Sequence, residues 1–242
     1  MLLRAIFRAH SFWTRAQGSR VMRLFILGSS GHAREIAVYA ESLRRWSQII
    51  FVDNEPGSEK QPWTVSTAEY QRLAAGGLPC ESIIGGGNIA VRRRMAIELV
   101  GAIGTIVAGG AHVFGTVGVG SVVAPGAVIA PNAVLAQHVL LNYNAAVGHD
   151  ARIGSLVVVS PLAAISGWCV VEDEAYIGAG SVVRERLHVG NGAIVGMGAV
   201  VTKDVPPHVT AVGVPARWYR PEPEALSEVV DPGEGASSPE GG

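Results

Sequence analysis

The residues best suited to chemistry are His149 and Asp150, adjacent in the segment Leu141-Asn142-Tyr143-Asn144-Ala145-Ala146-Val147-Gly148-His149-Asp150. Imidazole titrates near neutral pH, and a neighbouring carboxylate fixes its tautomer and favours its protonated form. Such a pair suits general-base work, in which the ring takes a proton from an attacking group. An isolated His-Asp pair is more often a solvated turn, so the setting has to decide. The second candidate is Gly28-Ser29-Ser30-Gly31-His32, which follows an apolar strand pattern and leads into an amphipathic helix. A helix that starts there offers free N–H groups to a phosphate. Asp53-Asn54 closes the next strand about twenty residues on, and Gly85-Gly86-Gly87-Asn88 precedes a basic helix with Arg92, Arg93 and Arg94. The dinucleotide fingerprint GxGxxG is absent, which disfavours NAD. Cys80 and Cys169 are the two cysteines, too far apart in sequence for a CxxC metal knuckle or a disulfide framework. Neither they nor any serine is placed as an obvious covalent nucleophile.

What positions His149 is a repeat. From Val117 to Val201 every sixth residue is aliphatic, fifteen in succession without an insertion. Four places after each aliphatic the residue is usually small, as at Ser121, Ala127, Ala133, Ala145, Ala151 and Ala163. Glycine often follows the aliphatic directly, as in Ile153-Gly154, Ile177-Gly178 and Val189-Gly190. A period of six fits neither an α-helix nor a half-buried strand, but it fits a β-solenoid of short strands and turns. The aliphatic points inward, the small residue fits the crowded corner, and glycine is expected to take the dihedrals the turns demand. Three faces per coil give five coils and a prism about 24 Å tall. His149 and Asp150 fall on the second and third places after Val147, away from the buried positions. Cys169 falls on a small inward place and reads as packing.

The region ahead of the repeat reads as a βαβ unit. Strands are expected at Arg23–Leu27, Gln48–Val52 and Ser82–Ile84, and a helix carries Ile36, Ala37, Ala40 and Leu43 on one face. The domain organisation is an N-terminal extension over 1–21, a Rossmann-like domain over 22–104, a β-helix over 105–213, and a C-terminal segment with an acidic tail over 214–242. Residues 1–21 carry four arginines and no acid but lack the apolar stretch of a signal peptide. A transit peptide or a start codon placed too early would explain them, and Met22 stands immediately before the first strand. After Arg220 the chain holds six acids and no bases among Pro, Gly and Ser, the composition of a disordered tail. The net charge of −1 gives no electrostatic case for a nucleic-acid or membrane partner. No apolar stretch approaches the length of a membrane span. A reducing, cytoplasmic setting is expected.

Over residues 22–218 the chain resembles the bacterial hexapeptide-repeat sugar acetyltransferases, which include nucleotide-amino-sugar N-acetyltransferases and sialic acid O-acetyltransferases. The resemblance is carried by Gly28-Ser29-Ser30-Gly31-His32, Asp53, Gly87-Asn88 with Arg92, Asn142, His149-Asp150 with Ile153-Gly154, and Gly213-Val214-Pro215-Ala216. It implies an α/β domain followed by an all-β, left-handed parallel β-helix, assembled as a homotrimer with active sites between neighbours. The implied reaction is acetyl-CoA-dependent transfer to the amino group of a nucleotide-linked 4-amino-4,6-dideoxy sugar, in a ternary complex without metal. His149 then matches the general base, Asp150 the acid that raises its basicity, and Asn142 an active-site polar residue. Gly167 matches a residue whose N–H faces the thioester oxyanion. Ser30, Gly31, His32, Asp53, Asn54 and Asn88 match the nucleotide-sugar site, and Ala179 and Met197 match positions that touch acetyl-CoA. Members often carry a second histidine nine residues after the first, where this chain has Val158. The resemblance also covers O-acetylation of a sugar hydroxyl. A zinc carbonic anhydrase on the same scaffold would need an HxxxxH pair, and no two histidines here are five apart. A nucleotide-sugar sensor without catalysis is the remaining alternative.

Overall fold

The structure is a computed structural model and describes residues 22–54, 63–77 and 79–220. The N-terminal extension and the acidic tail lie outside the described residues. Strand β1 (Arg23–Leu27) leads through helix α1 (Gly31–Leu43) to β2 (Gln48–Val52). Then follow β3 (Thr64–Val65), α2 (Thr67–Ala75), β4 (Cys80–Ile84), α3 (Ile89–Glu98) and β5 (Ala102–Ile103). The five strands form a parallel sheet in the order β3-β2-β1-β4-β5, with Arg23 paired to both Gln48 and Cys80. That order reverses direction between β1 and β4, so the crevice beyond Leu27 and Ile84 is where such a sheet binds ligands. Helix α1 buries Ala33, Ile36, Ala37 and Ala40 against the sheet, while Leu43 stays at its exposed edge. Short strand β3 and helix α2 carry too little apolar periodicity to be read from sequence. Tyr70 of α2 nevertheless anchors fully buried, its hydroxyl meeting Ser82 at 2.9 Å.

Past Ile103 the chain winds into a parallel β-helix with three faces. The first face runs through Ile106–Val107, Val122–Val123, Leu140–Leu141, Val158–Val159, Tyr176–Ile177, Ile194–Val195 and Thr210–Val212. The second contains Ala146–Val147, Ala164–Ile165 and Val182–Val183 in a stack of six strands. The third contains Arg152–Ile153 and Val170–Val171 in a stack of five. The inward aliphatics and the small residues four places on form one buried cluster. Each buried Val, Ile or Leu contributes about 1.5–3 kcal/mol.

Six coils close and a seventh begins, which corrects the expected five and raises the height to about 29 Å. The extra coils escaped the hexad count because the corner between the second and third faces is two residues shorter at each end. Val113 and Val117 are four apart in the first coil, as are Val201 and Val205 in the last, where Val205 bridges to Val189. The glycine expectation also needs correcting. Left-handed backbone falls three residues past the inward aliphatic at fourteen successive corners from Gly120 to Gly198, and nine of those corners carry other residues, Asn132, Asp150 and Trp168 among them. The glycines directly after the aliphatic serve close approach instead. A Cβ at Gly154 would lie 2.5 Å from the Asp173 backbone nitrogen, and one at Gly178 would lie 2.6 Å from that of Met197.

The two domains share an apolar seam. Leu24, Ile26, Ile36 and Ala40 pack with Ile106, Val122, Leu140 and Val158 from the outer side of the first face. Arg92 crosses the seam fully buried and donates to the carbonyls of Gly86 at 2.7 Å and His138 at 2.6 Å. Arg93 pairs with Glu174 beside it.

Candidate functional site

His149 lies at the corner between the second and third faces, two residues past inward Val147. Asp150 takes the left-handed place there, with φ of 60°, which turns its carboxylate back onto its neighbour. His149 Nδ1 meets Asp150 Oδ2 at 2.8 Å, and Asn132 Nδ2 one coil below donates to Asp150 Oδ1 at 3.2 Å. The hydrogen bond with His149 and then that from Asn132 hold the Asp150 carboxyl below the ordinary carboxylate range. A carboxylate so held stays ionised and keeps the proton of the neutral imidazole on Nδ1, leaving Nε2 as the free base.

Gly167 lies one coil above. A Cβ there would come within 2.7 Å of His149 Nε2, so the glycine leaves the ring its place. Gly167 is buried, its carbonyl accepts from Arg186 N at 3.0 Å, and its N–H donates to no group among the described residues. The free base nitrogen and a free backbone donor thus meet at one corner. His149 itself is about half exposed, so a ligand can reach Nε2. On its flank the ring meets Trp168 edge to face, with centroids 4.3 Å apart, and Arg186 lies 4.2 Å over the indole. Sequence reasoning named neither Trp168, Arg186 nor Asn132. A spacing of eighteen from Asp150 is the signal that would have found them, because residues eighteen apart stack on one corner.

The remaining active-site candidate, Asn142, and the two acetyl-CoA candidates stand elsewhere. Asn142, Ala179 and Met197 occupy the corner between the first and second faces, with Ala179 and Met197 stacked through Gly198 N to Ala179 O at 2.9 Å. Within one chain the full width of the second face separates them from His149. Asn142 Oδ1 accepts from Tyr143 N at 2.8 Å. Val158 is buried in the seam against the N-terminal domain rather than beside His149. Cys169 is buried, its thiol donating to Arg184 O at 3.1 Å, and burial pushes its pKa up, as a packing residue requires.

In the N-terminal domain the residues expected to hold a nucleotide gather at the crevice beside β1. Ser30 caps α1 without a side-chain bond, so the first N–H groups of that helix are left for a ligand. Ser29 donates to the Asp53 carboxylate. Gly85 is packed so closely that a Cβ would lie 2.6 Å from Leu27 O, which lets the second turn approach the first. Two of the expected residues are occupied with structural bonds. Asn54 meets Thr67 with both ends of its amide, at 2.9 and 2.8 Å, and Asn88 Oδ1 caps α3 through Ala90 N at 2.8 Å. His32 bonds Glu35 through Nδ1 at 3.3 Å, while its Nε2 is buried with no partner. Burial and then the nearby Arg92 charge push its pKa down, so the ring is neutral at neutral pH. Among the described residues no group of three or more His, Cys, Asp or Glu comes together, and no helix is long and apolar enough to cross a membrane.

Residues 23–99 match the family described as the PglD N-terminal domain. The acetyltransferase domain of PglB from Neisseria gonorrhoeae, solved with acetyl coenzyme A, is 29% identical with a TM-score of 0.75, covering 84% of this chain and 100% of that one. A histidine-to-asparagine mutant of perosamine N-acetyltransferase from Caulobacter crescentus, solved with CoA and GDP-perosamine, is 25% identical with a TM-score of 0.75, covering 85% and 99%. The 2,3,4,5-tetrahydropyridine-2,6-dicarboxylate N-acetyltransferase of Staphylococcus aureus is 44% identical over 62 residues, 26% of this chain and 24% of that one. The chain thus spans about a quarter of the length of the curated relatives it matches.

Proposed function

We propose that this chain, whose domain content and fold are those of the hexapeptide-repeat sugar N-acetyltransferases, transfers an acetyl group from acetyl-CoA to the amine of a nucleotide-linked amino sugar. The observation that carries this reading is His149 held by Asp150 beneath Gly167, with Nε2 and an unpaired backbone N–H at the same corner among the described residues. His149 takes the proton from the amine as its nitrogen attacks the thioester carbonyl. The Gly167 N–H stabilises the oxyanion, and CoA leaves as the thiolate. The crevice beside Ser30, Gly31, His32 and Asp53 holds the nucleotide through the free end of α1. The GDP-perosamine bound to the Caulobacter crescentus relative supports a 4-amino sugar as acceptor.

The chain works as a homotrimer in this reading, with Ala179 and Met197 of one copy lining the acetyl-CoA channel against the His149 corner of the next. Their separation by a whole face within one chain supports it. Sedimentation should report three copies per particle, and a monomer at all concentrations would remove this part.

The decisive experiment measures CoA thiol release from acetyl-CoA across a panel of UDP-, GDP- and dTDP-linked amino sugars, with wild type and His149→Ala. The variant should lose about 10²–10⁴-fold in kcat and keep its affinity for acetyl-CoA. An unchanged rate in His149→Ala would remove His149 as the base, and no CoA release by the wild type with any amino sugar would return the chain to a role as a nucleotide-sugar sensor.

A further inference from the structure

The left-handed corner places stack in columns eighteen residues apart, and the column beside the His149 corner reads Asn132, Asp150, Trp168, Arg186. The backbone demand at such places is the same throughout, and most residues there are small, polar or charged. A tryptophan at φ 56° answers no backbone requirement, because an L-residue there costs about 1–2 kcal/mol against the right-handed conformation. The residue is 46% exposed, so it does not serve the core either. What the indole does touch is the base: it lies at 86° to the His149 imidazole with centroids 4.3 Å apart. The backbone keys the two together, since Trp168 N donates to His149 O at 3.0 Å. Arg186, the next residue of the column, lays its guanidinium 4.2 Å over the indole, and so holds the ring against rotation.

We infer that Trp168, held by Arg186, is a positioning residue that keeps the His149 imidazole in the one rotamer where Nδ1 meets Asp150 and Nε2 lies against Gly167. A half-exposed imidazole would otherwise sample several rotamers. Asp150 alone restrains only Nδ1, and Gly167 offers no side chain to bar the swing. The indole supplies the missing wall on the flank of the ring. Its catalytic consequence rests on His149 being the base proposed above, but its structural part does not.

The test uses the full chain with Trp168→Asn, Trp168→Phe and Arg186→Ala. Asparagine is the least disruptive replacement, since Asn132 and Asn144 already occupy left-handed corners of this chain. The imidazole C–H proton signals of His149, assigned by their loss in His149→Gln, report the indole through its ring current. In Trp168→Asn that shift should vanish and kcat should fall about tenfold with the KM for acetyl-CoA unchanged, the cost of a base displaced by a fraction of an ångström. Trp168→Phe should restore kcat to within about threefold, and Arg186→Ala should lie between the two. His149 signals that do not move in Trp168→Asn, or that move with kcat unchanged, overturn the inference. If the signals move but the wild type acetylates no amino sugar, the proposed function falls while the positioning contact stands.

Discussion

Replacing Gly167 with alanine separates the chemistry of the corner from its architecture. The glycine has no positive φ, so alanine fits its backbone without strain. The new methyl would stand 2.7 Å from His149 Nε2, 2.8 Å from Cε1 and 3.1 Å from Cδ2. Carbon contacts settle at about 3.5–4.0 Å, so the imidazole must retreat by roughly 0.8 Å. The ring is a half-exposed side chain able to swing outward, which keeps the cost to stability below about 1 kcal/mol. A base misplaced by about an ångström costs on the order of 10²-fold, and that is the expected loss in kcat. Gly154→Ala is the contrasting variant. Its methyl would meet the Asp173 backbone nitrogen at 2.5 Å, and a coil backbone cannot swing aside. That overpacking should cost about 1–3 kcal/mol of stability. Thermal unfolding followed by circular dichroism and initial rates of CoA release, run on both variants, give the two readouts. A Gly167→Ala protein with kcat within about threefold of wild type would refute the crowding of the base. One that loses stability as Gly154→Ala does would refute the claim that the ring alone yields.

Three further outcomes are expected. Arg92→Leu leaves the Gly86 and His138 carbonyls without their donor at the seam, and should cost about 3 kcal/mol, lowering the unfolding midpoint by about 6–12 °C; a smaller change than about 2 °C would show that the apolar seam alone docks the domains. Burial, and then the Arg92 charge, push the pKa values of both His32 and His138 down, so the unfolded chain binds protons that the folded chain refuses as pH falls below about 6.5. Stability measured by urea unfolding should therefore drop on going from pH 7.5 to 5, and His32→Gln should flatten that drop. Asp53→Ala, which removes the carboxylate that Ser29 bonds, should raise the KM for the nucleotide sugar strongly while kcat stays within a few-fold, and a changed affinity for acetyl-CoA instead would contradict the division of ligands between domains.

The solenoid was legible because its cause is local and repeated: an inward aliphatic and a small corner residue are required once every six residues, so the requirement is written into every hexad. The strands at Arg23–Leu27 and Gln48–Val52 were legible for a similar reason, an apolar run ending in turn residues. What escaped were features with no period of their own. The two four-residue corners at Val113–Val117 and Val201–Val205 hid the end coils, because a shortened turn breaks the count without breaking the core. His149-Asp150 was recognisable as a neighbouring pair, but the rest of its corner depends on which residues the coil stacks. Gly167 and Trp168 come from the next coil and meet the imidazole, and Arg186 from the coil after that meets the indole, only because the strands rise in register. The free N–H of Gly167, the wall of Trp168 and the buried Val158 at the domain seam were likewise decided by tertiary structure alone. Sequence determines the period and therefore the scaffold. Which side chains share a corner, and which polar groups are left unpaired there, follows only once the coils close on one another.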